Sequence, residues 1–461
     1  MTEKKMIEIF IKPAQQGTYL TLPFDLPPGT AALHLAYTYD RHRHNASPAG
    51  GGTFTAREEI NIIDLGLIAP DGTQAGASGS DKRAITISAA WATPGYKPQP
   101  LIPGRWQILV GAYKVADPGV RVTYELSFEP KTRRLLKGDL HTHTLASDGV
   151  LTAEELGRHA LRNGLDFIAV TDHNTLTPTA ALKLKRHQAA SAQCRTHQCA
   201  AQALSLPRIE GLTFIPGVEW SHYRGHANFL GIDQPFDGPY AAPDGADPLA
   251  VVHTARERGA LITLNHPFEE ACPFTFDLAA VPFDVLEVWN GPMRESNLRA
   301  LGLWAQLLAS GQKVPICGGS DYHRDRLFQI LGGPTTCVFT ESASPADILT
   351  AVRAGHSFIT FAPEGPTLKM SCGEAILGES LPYQPGQMVE IALEGLEQGD
   401  VVRLVTPDGS TDLFTAPAPG AFETQHPVTG PGFVRLEVWR TFLPGVPALP
   451  ALLANPIYFD A

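Results

Sequence analysis

Short stretches in which apolar and polar residues alternate fill the chain from its start to about residue 130. These stretches are rich in β-branched and aromatic residues, and clusters of glycine, proline, asparagine and aspartate separate them. A period of two indicates strands with one buried face, and closely spaced strands of this kind are typical of antiparallel sandwiches. The pattern therefore predicts an N-terminal all-β, sandwich-like domain over residues 1–134, which ends at the basic segment 130–134.

The pattern changes at this segment, and apolar strand sequences then alternate with helical sequences. This alternation predicts βα units over residues 135–364. In the first unit, Thr152 and Glu155 have the spacing of a capping box, so a helix is expected to begin there and to end before Gly164. Short strand sequences return among many prolines and glycines over residues 365–461, which predicts a small C-terminal β domain.

Composition and charge limit the class of protein. A chain of 461 residues is too long for one ordinary core, so two or three domains are expected. The net charge of −11 argues against a scaffold for duplex nucleic acid, although bound cations can reverse the local sign for a small anionic substrate. The N-terminal apolar run is too short and polar for a secretory signal, and no stretch reaches membrane-spanning length. With six cysteines at irregular spacing, the chain is expected to be cytoplasmic, with reduced thiols and no membrane partner.

Histidine and carboxylate residues stand where the predicted central strands end. The carboxyl ends of parallel strands share one edge, and ligands bind at that edge in barrels and in open α/β sheets. Two pairs in this set are two residues apart, so both members of a pair point to the same side of an extended chain. The eight candidate ligands are His141, His143, Asp148, His173, Glu219, His266, Asp321 and His323.

A lone histidine at a strand end is usually part of the scaffold, but eight donors at five strand ends predict a metal site. The mixture of imidazoles and carboxylates suits zinc, manganese or iron better than calcium. Eight donors are too many for one ion, so two to three divalent ions are expected. The sequence has no G-x-S-x-G elbow, which favours a metal-activated water over a serine nucleophile.

Several of these segments resemble the motifs of a known family. In chain order, LHTHTLASDG, AVTDHN, PGVEW, NHP and GSDYH resemble the motifs of the PHP (polymerase and histidinol phosphatase) superfamily over residues 135–360. FDLPPGTAALHLAYTY, GHANFLG and LEVWNG are similar to its carbaryl-hydrolase-like branch. The resemblance implies an α/β fold with a distorted (β/α)₇ barrel and a trinuclear metal centre, here flanked by the two predicted β domains.

The resemblance also implies a ninth ligand and a role for each donor. Two histidines follow Glu219, and His226 is preferred to His222 because GHANFLG opens a strand that can turn back over the site. Glu219 would bridge the first two ions. The implied sets are His141, His143, Glu219 and Asp321 for the first ion, Glu219, His226 and His266 for the second, and Asp148, His173 and His323 for the third.

The function implied is that of a metal-dependent hydrolase in which a metal-bridging hydroxide attacks, with Glu219 and Asp321 holding the reacting ions. Small phosphomonoesters or phosphodiesters are the expected substrates, since three cations suit a group whose charge spreads over several oxygens. Arg294 is a candidate phosphate clamp, and a surface ion pair is its alternative; Arg324 and Arg326 are weighed in the same way. Two other functions stay open, a carbamate, carboxylic ester or amide hydrolase and a non-enzymatic binding protein with a relict barrel.

Two further groups of possible ligands are interpreted as structural. Cys194, His197 and Cys199 loosely suggest a zinc cluster, but the helical composition around them and the missing fourth donor favour a surface helix. His42 and His44 are two residues apart, in a segment rich in asparagine, serine and glycine, for which a solvated loop is expected. The β domains are therefore predicted to supply no ligands.

Overall fold

The computed structural model describes most of the chain, and the segment with Cys194, His197 and Cys199 lies outside the described residues. The chain divides into two compact units, Met1–Thr132 and Arg133–Ala461. Among the described residues, no helix is long and apolar enough to cross a membrane. The described residues are 3–44, 57–177, 206–236, 240 and 247–461.

The first unit is built from antiparallel strands. Two four-stranded sheets, in the orders β1-β10-β3-β8 and β2-β9-β6-β7, contribute to one hydrophobic core, and β4 pairs with β5. His42 and His44 lie in β4 instead of the predicted loop, because their backbone pairs with β5. The elements are β1 Glu3–Ile11, a 3-10 helix Pro13–Gln15, β2 Tyr19–Leu26, β3 Thr30–Tyr39, β4 His42–His44, β5 Arg57–Glu59, β6 Ile62–Ile68, β7 Gln74–Ser78, β8 Ala84–Ser88, β9 Gly104–Lys114 and β10 Val120–Pro130.

The second unit has a mixed α/β architecture that is rich in sheet. Its first part contains four described α-helices and nine strands. These elements are β11 Arg134–Thr142, α1 Ala153–Arg162, β12 Phe167–Val170, β13 Thr213–His222, β14 Gly225–Leu230, α2 Ala250–Glu257, β15 Leu261–Leu264, a 3-10 helix Leu278–Ala280, β16 Val285–Asn290, α3 Glu295–Ala309, β17 Ile316–Gly319, β18 Thr335–Thr340, α4 Pro345–Arg353 and β19 Ser357–Thr360.

Seven strands form the part of the sheet that carries the predicted ligands. They lie in the order β17-β16-β15-β14-β13-β12-β11. Neighbours in this series are parallel except that β14 turns back antiparallel to both β13 and β15. An isolated parallel bridge between Thr142 and Tyr322 joins the chain just beyond β17 to the end of β11. The ends of the first and last strands of the series therefore lie next to each other.

The C-terminal strands continue this sheet. β18 pairs with β11 and β19, and β28 joins β19 to β27, β24 and β25, while β20, β21, β23 and β26 form a separate sheet. The predicted division between residues 364 and 365 lies inside the second unit and stays a prediction. The strands are β20 Thr367–Cys372, β21 Ala375–Ile376, β22 Ser380–Pro382, β23 Met388–Leu396, β24 Val401–Thr406, β25 Gly409–Thr415, β26 Gly420–Pro427, β27 Gly432–Arg440, β28 Leu449–Ala454 and β29 Ile457–Asp460.

Helix α1 connects β11 to β12, the first two strands that carry predicted ligands. The predicted capping box is confirmed, since the Thr152 hydroxyl accepts from the Glu155 backbone N–H at 3.2 Å and the Glu155 carboxylate accepts from the Thr152 N–H at 2.9 Å. The chain leaves the helix through Gly164, whose φ of 76° suits glycine. Leu156 and Ala160 pack in the same hydrophobic cluster as strand β12, so β12 returns parallel to β11.

Candidate metal centre

The nine predicted ligands come together at one edge of the seven-stranded sheet. They lie at the ends of strands or in the loops that follow them, and they come from distant parts of the sequence. The positions are His141 in β11, His143 and Asp148 after it, His173 after β12, Glu219 in β13, His226 in β14, His266 after β15, and Asp321 and His323 after β17.

The carboxylate of Glu219 lies at the centre of the group, and it is 1% exposed. Its two oxygens face different histidines, so each oxygen has its own set of neighbours. Atom Oε1 lies 3.2 Å from His141 Nε2, 3.1 Å from His226 Nδ1 and 3.3 Å from His266 Nε2, whereas Oε2 lies 2.7 Å from His173 Nδ1 and 3.6 Å from His143 Nε2.

Asp321 faces His141, in β11, and His143, directly after that strand. Its Oδ1 lies 3.0 Å from His143 Nε2 and 3.4 Å from His141 Nε2. These three atoms and Glu219 Oε2 are buried and have no hydrogen-bond partner in the described part of the chain. Buried polar atoms are rarely left without a hydrogen-bond partner. These four lie together, with nitrogen–oxygen distances of 3.0 to 3.6 Å between them, and such a group suits the ligation of cations.

Asp148 forms the outer part of the cluster. Its Oδ1 lies 3.1 Å from His323 Nε2, 3.6 Å from His173 Nε2 and 3.9 Å from His143 Nδ1. The Asp148 side chain is 57% exposed, whereas the His143 side chain is fully buried. The centre is therefore closed at Glu219 and open to solvent at Asp148.

Five sets of donor atoms lie within 4.8 Å of one another, and each set could hold an ion. These sets overlap with the ligand sets that the resemblance implies, but the two are not identical. His143 belongs to the set that contains Asp148, and His173 also lies near Glu219. The assignment of donors to individual ions stays a prediction. The sets are His143, Asp148, His173 and His323; His141, His143 and Asp321; His141, Glu219 and His266; His173, Glu219 and His226; and His226, His266 and Cys272.

The histidines keep the two central carboxylates charged. Burial disfavours the ionised form, yet His141 and His143 hold the pKa of Asp321 well below its ordinary value. Burial opposes ionisation of Glu219 as well, but His141, His173 and His226 hold its pKa well below the usual range. Ligation requires carboxylates in the anionic form, so both side chains are ready to bind a cation at neutral pH.

Glu287 is a buried acid that the sequence analysis missed. Its Oε1 lies 2.9 Å from His141 Nδ1, and its Oε2 accepts from the His266 backbone N–H at 3.0 Å and from Asn290 Nδ2 at 3.2 Å. A carboxylate on the far nitrogen of a ligand histidine fixes the tautomer and orientation of the ring. The available signal was a single charged residue in the fully buried strand β16.

Two buried aspartates next to the ligands fix the loops that carry them. Asp139 accepts from the backbone N–H groups of His141 and Ser320 at 3.1 and 3.0 Å, and burial raises its pKa to about 6. Asp172 accepts from the backbone N–H and the hydroxyl of Thr144 at 2.7 and 2.8 Å. These bonds tie the ends of β11, β12 and β17 to one another.

Two of the predicted ligands lie in strained backbone. The φ angle is 24° at His266 and 51° at Asp321, and residues with a β-carbon seldom adopt such values. Strain of this kind persists where the surrounding structure fixes a side chain for a purpose, so it supports a functional role for both positions.

The structure places the two candidates for the ninth ligand differently. His226 Nδ1 lies beside Glu219 Oε1, inside the cluster. His222 lies at the hairpin between β13 and β14, where its Nδ1 accepts from the Arg224 N–H at 3.1 Å and its ring stacks on Trp220 at 5.4 Å. Cys272, which the sequence analysis did not consider, lies 3.9 Å from His266 Nδ1 through its Sγ.

Arg294 connects to the centre through other side chains. Its Nη2 lies 3.3 Å from Asn290 Oδ1, and its Nη1 lies 3.3 Å from Glu269 Oε2. Asn290 in turn bonds Glu287, which reaches His141. The Arg294 side chain is 46% exposed and already in an ion pair, so its role as a phosphate clamp stays a prediction.

Comparison with curated proteins gives a partial match. No family model matches the chain. The chain is 34% identical to the 5′-3′ exoribonuclease Rnm of Salmonella typhimurium over 164 residues, and this match covers 34% of the chain and 43% of that protein. Over 99 residues it is 34% identical to the Rnm protein of Escherichia coli K12, which covers 21% of this chain and 27% of that one. The chain thus spans less than half the length of these relatives.

Solved structures give more distant likenesses. A two-domain protein containing a predicted PHP-like metal-dependent phosphoesterase, from Bacteroides vulgatus, is 18% identical with a TM-score of 0.39, over 70% of this chain and 95% of that one. An amidohydrolase from Chromobacterium violaceum is 18% identical with a TM-score of 0.25, over 40% of this chain and 87% of that one. At these TM-scores the likenesses carry no conclusion about this chain.

Proposed function

We propose that this chain is a metal-dependent phosphoesterase of the PHP superfamily that acts on small anionic phosphomonoesters or phosphodiesters in the cytoplasm. The observation that carries the proposal is the set of orphaned buried atoms on His141, His143, Glu219 and Asp321, within a cluster of nine donors. The 34% sequence identity that 164 residues of the chain share with an Rnm exoribonuclease supports the proposal. The proposal includes a distorted (β/α)₇ barrel over residues 135–364.

Two to three divalent ions of zinc, manganese or iron fit this donor set. The orphaned atoms are imidazole nitrogens and carboxylate oxygens, which are the donors that these metals bind. When bound, the ions would lower the pKa of a water molecule and neutralise charge on the substrate oxygens. Glu219 is the residue suited to serve two ions, because its two oxygens face different histidines.

The chain's own residues would position the ligands and exclude water. Glu287 and Asp139 would fix His141 from two sides, one through the ring and the other through the backbone. Because Glu219 is buried while Asp148 is exposed, the substrate would approach from the Asp148 side. Arg294 would meet the phosphate only by leaving Glu269, so it would add to binding without holding an ion.

A carbamate, ester or amide hydrolase is the alternative that uses the same centre. A neutral ester develops charge on one oxygen, so a third cation would stabilise its transition state little, whereas a phosphoryl group presents several charged oxygens. The breadth of the donor cluster around Asp148 therefore favours the phosphoester.

A parallel assay of the metal-loaded chain tests the proposal. One arm uses aryl phosphates and phosphodiesters, and the other uses aryl carbamates and carboxylic esters. Turnover is expected in the first arm, with a loss of about 100-fold or more in Asp321→Asn, since losing only the partner of a metal ligand typically costs about 10- to 100-fold and Asp321 is proposed as a ligand itself. The exposed Asp408→Asn is the matched control and should keep full activity. Turnover in the second arm alone would establish the alternative, and turnover in neither arm would favour the binding protein.

A further inference from the structure

Cys272 lies beside the metal centre, together with two of its predicted ligands. Its Sγ is 3.9 Å from Nδ1 of His266, and the two residues form a donor set with His226 in which all three ligand atoms lie within 4.8 Å of one another. The other four donor sets contain only imidazoles and carboxylates. Thiolates favour zinc and iron, whereas manganese prefers oxygen donors, so this set differs from the others in the metal that it suits.

The loop after β15 brings Cys272 back to His266. We call residues 267–275 the return loop. The chain enters it through the strained backbone of His266, and the Phe274 N–H then donates to the Pro267 carbonyl at 2.9 Å. This bond closes the loop, so the thiol comes to lie beside a ligand that is six positions earlier in the sequence.

The return loop is also fixed to the hairpin that carries His226. The Thr275 N–H donates to the Arg224 carbonyl at 2.7 Å. The neighbouring Gly225 lies against the loop so closely that a β-carbon there would be 2.3 Å from Cδ2 of Phe274. The position of the loop that carries the sulfur is therefore set relative to both histidines of its donor set.

The Nδ1 atom of His266 has only a weak partner. The His266 side chain is 5% exposed. In the described part of the chain, the one hydrogen-bond contact of this nitrogen is the Cys272 thiol at 3.9 Å. A thiol is a weak donor and a weak acceptor, and buried ring nitrogens seldom lack a good partner. The nitrogen and the sulfur thus both face a place that a cation could fill.

The separation of these two atoms suits two ligands of one ion. Zinc binds sulfur at about 2.3 Å and nitrogen at about 2.0–2.1 Å, so two tetrahedral ligands of this kind lie roughly 3.5 Å apart. The observed 3.9 Å is close to that value. Ligation of an ion accounts for the position of the sulfur better than a long hydrogen bond does.

His266 faces a different group through its other nitrogen. Its Nε2 lies 3.3 Å from Oε1 of Glu219, and this oxygen also faces His226. A neutral imidazole has one nitrogen free for ligation, because the other carries the proton. His266 can therefore serve an ion beside Glu219 or an ion beside Cys272, but a neutral ring cannot serve both.

We propose that His226, His266 and Cys272 form a second, thiolate-containing position for zinc, which competes with the Glu219 position for His266. The inference rests on the metal centre of the proposed phosphoesterase and assigns its inhibition by zinc. The thiol loses its proton as the ion binds, since the thiolate is the ligand. Zinc bound at Cys272 would then withdraw a ligand from the ion that Glu219 holds.

The absorption spectrum of cobalt(II) bound to the full chain tests the position without any need for turnover. Cobalt stands in for zinc, its visible bands report binding at any site, and a near-ultraviolet charge-transfer band reports a bond to thiolate. Metal-free protein titrated with cobalt should show both kinds of band. Cys272→Ser keeps the size of the side chain, and it should lose the charge-transfer band while visible bands remain.

Two variants control for the other thiols of the chain. Cys372→Ala removes a thiol from β20, which carries no predicted ligand, and it should keep the charge-transfer band. The double variant Cys194→Ser, Cys199→Ser should keep the band as well. A band that survives in Cys272→Ser, or visible bands without a charge-transfer band in the wild type, would overturn the assignment and leave the metal centre standing. A chain that binds no cobalt would overturn both.

The competition for His266 is tested by adding zinc to the manganese-loaded chain. Zinc should inhibit hydrolysis of an aryl phosphate, and Cys272→Ser should need at least about 10-fold more zinc for the same inhibition, since losing only the partner of a metal ligand already costs about 10- to 100-fold. Equal inhibition of the wild type and Cys272→Ser would refute the competition. A chain without turnover whose charge-transfer band depends on Cys272 would refute the phosphoesterase and leave the thiolate position standing.

Discussion

Replacement of Glu287 by glutamine should weaken metal binding without removing any metal ligand. The carboxylate receives three donors, from the His141 ring, the His266 backbone and the Asn290 side chain. Glutamine keeps the volume of the side chain, but it has one oxygen and one NH₂ group. When His141 Nε2 binds a metal, its Nδ1 can only donate, so at least one of the three donors must then face the amide NH₂ inside a buried strand, where Glu287 is 2% exposed.

The size of the effect follows from the position of the lost bond. When the partner of a ligand histidine is removed, metal affinity typically falls about 10- to 100-fold, which corresponds to roughly 1.4–2.8 kcal/mol. The ion on His141 should be affected most, because its Nδ1 bond sets the direction of Nε2. The ion near Asp148 should keep its affinity, since none of the donors in that set contacts Glu287.

The assay is a competition between the protein and a chelator, followed by elemental analysis at each step. One of the bound equivalents should be lost at a lower chelator concentration in Glu287→Gln than in the wild type. Glu374→Gln, at an exposed position, is the matched control and should behave like the wild type. Affinities within twofold of the wild type for every ion would refute the positioning role of Glu287.

Two comparisons between pairs of substitutions test the centre by different means. Glu219→Ala should remove more metal than His226→Ala in elemental analysis of chelator-free protein. The Glu219 carboxylate faces histidines with both of its oxygens, whereas His226 lies at only one of these oxygens. Equal losses of metal would contradict a bridging role for Glu219. Gly319→Ala should cost about 1–3 kcal/mol in urea unfolding and lower the metal content, because its Cβ would lie 2.4 Å from His141 Cβ. Gly302→Ala, in helix α3 with no atom within 4 Å, should be neutral or gain up to about 1 kcal/mol, and a matching loss would show that the effect is not steric.

The places of the predicted ligands in the fold follow from local rules. A residue at the end of a parallel strand lies at the binding edge whatever the rest of the fold does, and the spacing of His141 and His143 gives both the same side. The capping box at Thr152 is local in the same sense. The place of these side chains at one edge of the sheet therefore depends on a few neighbouring residues, whereas their binding of metal stays a prediction.

The partners of those ligands could not be predicted, because they depend on packing between distant segments. Glu287 meets His141 across 146 positions in the sequence, and Asp139 meets Ser320 across 181. The pairing of β19 with β28, which brings the C-terminal strands into the same sheet, also joins segments that are distant in sequence. Alternation of apolar and polar residues indicates that a strand exists, but it does not indicate which strand lies beside it.

The charges of the centre show why these partners matter. Burial disfavours protonated histidine, yet Asp321, Glu287 and Glu219 raise the pKa of His141 well above its ordinary value, so protons on the histidines can balance the carboxylates when no cation is bound. A cation that binds there must displace those protons, and its apparent affinity must fall as pH falls. Glu287 therefore has two opposed effects on His141. Without a bound cation it stabilises the protonated ring, and with a bound cation it directs the same ring towards the metal. The balance between them is set by which nitrogen carries the proton, and the bond from Nδ1 to Glu287 keeps Nε2 free for the metal.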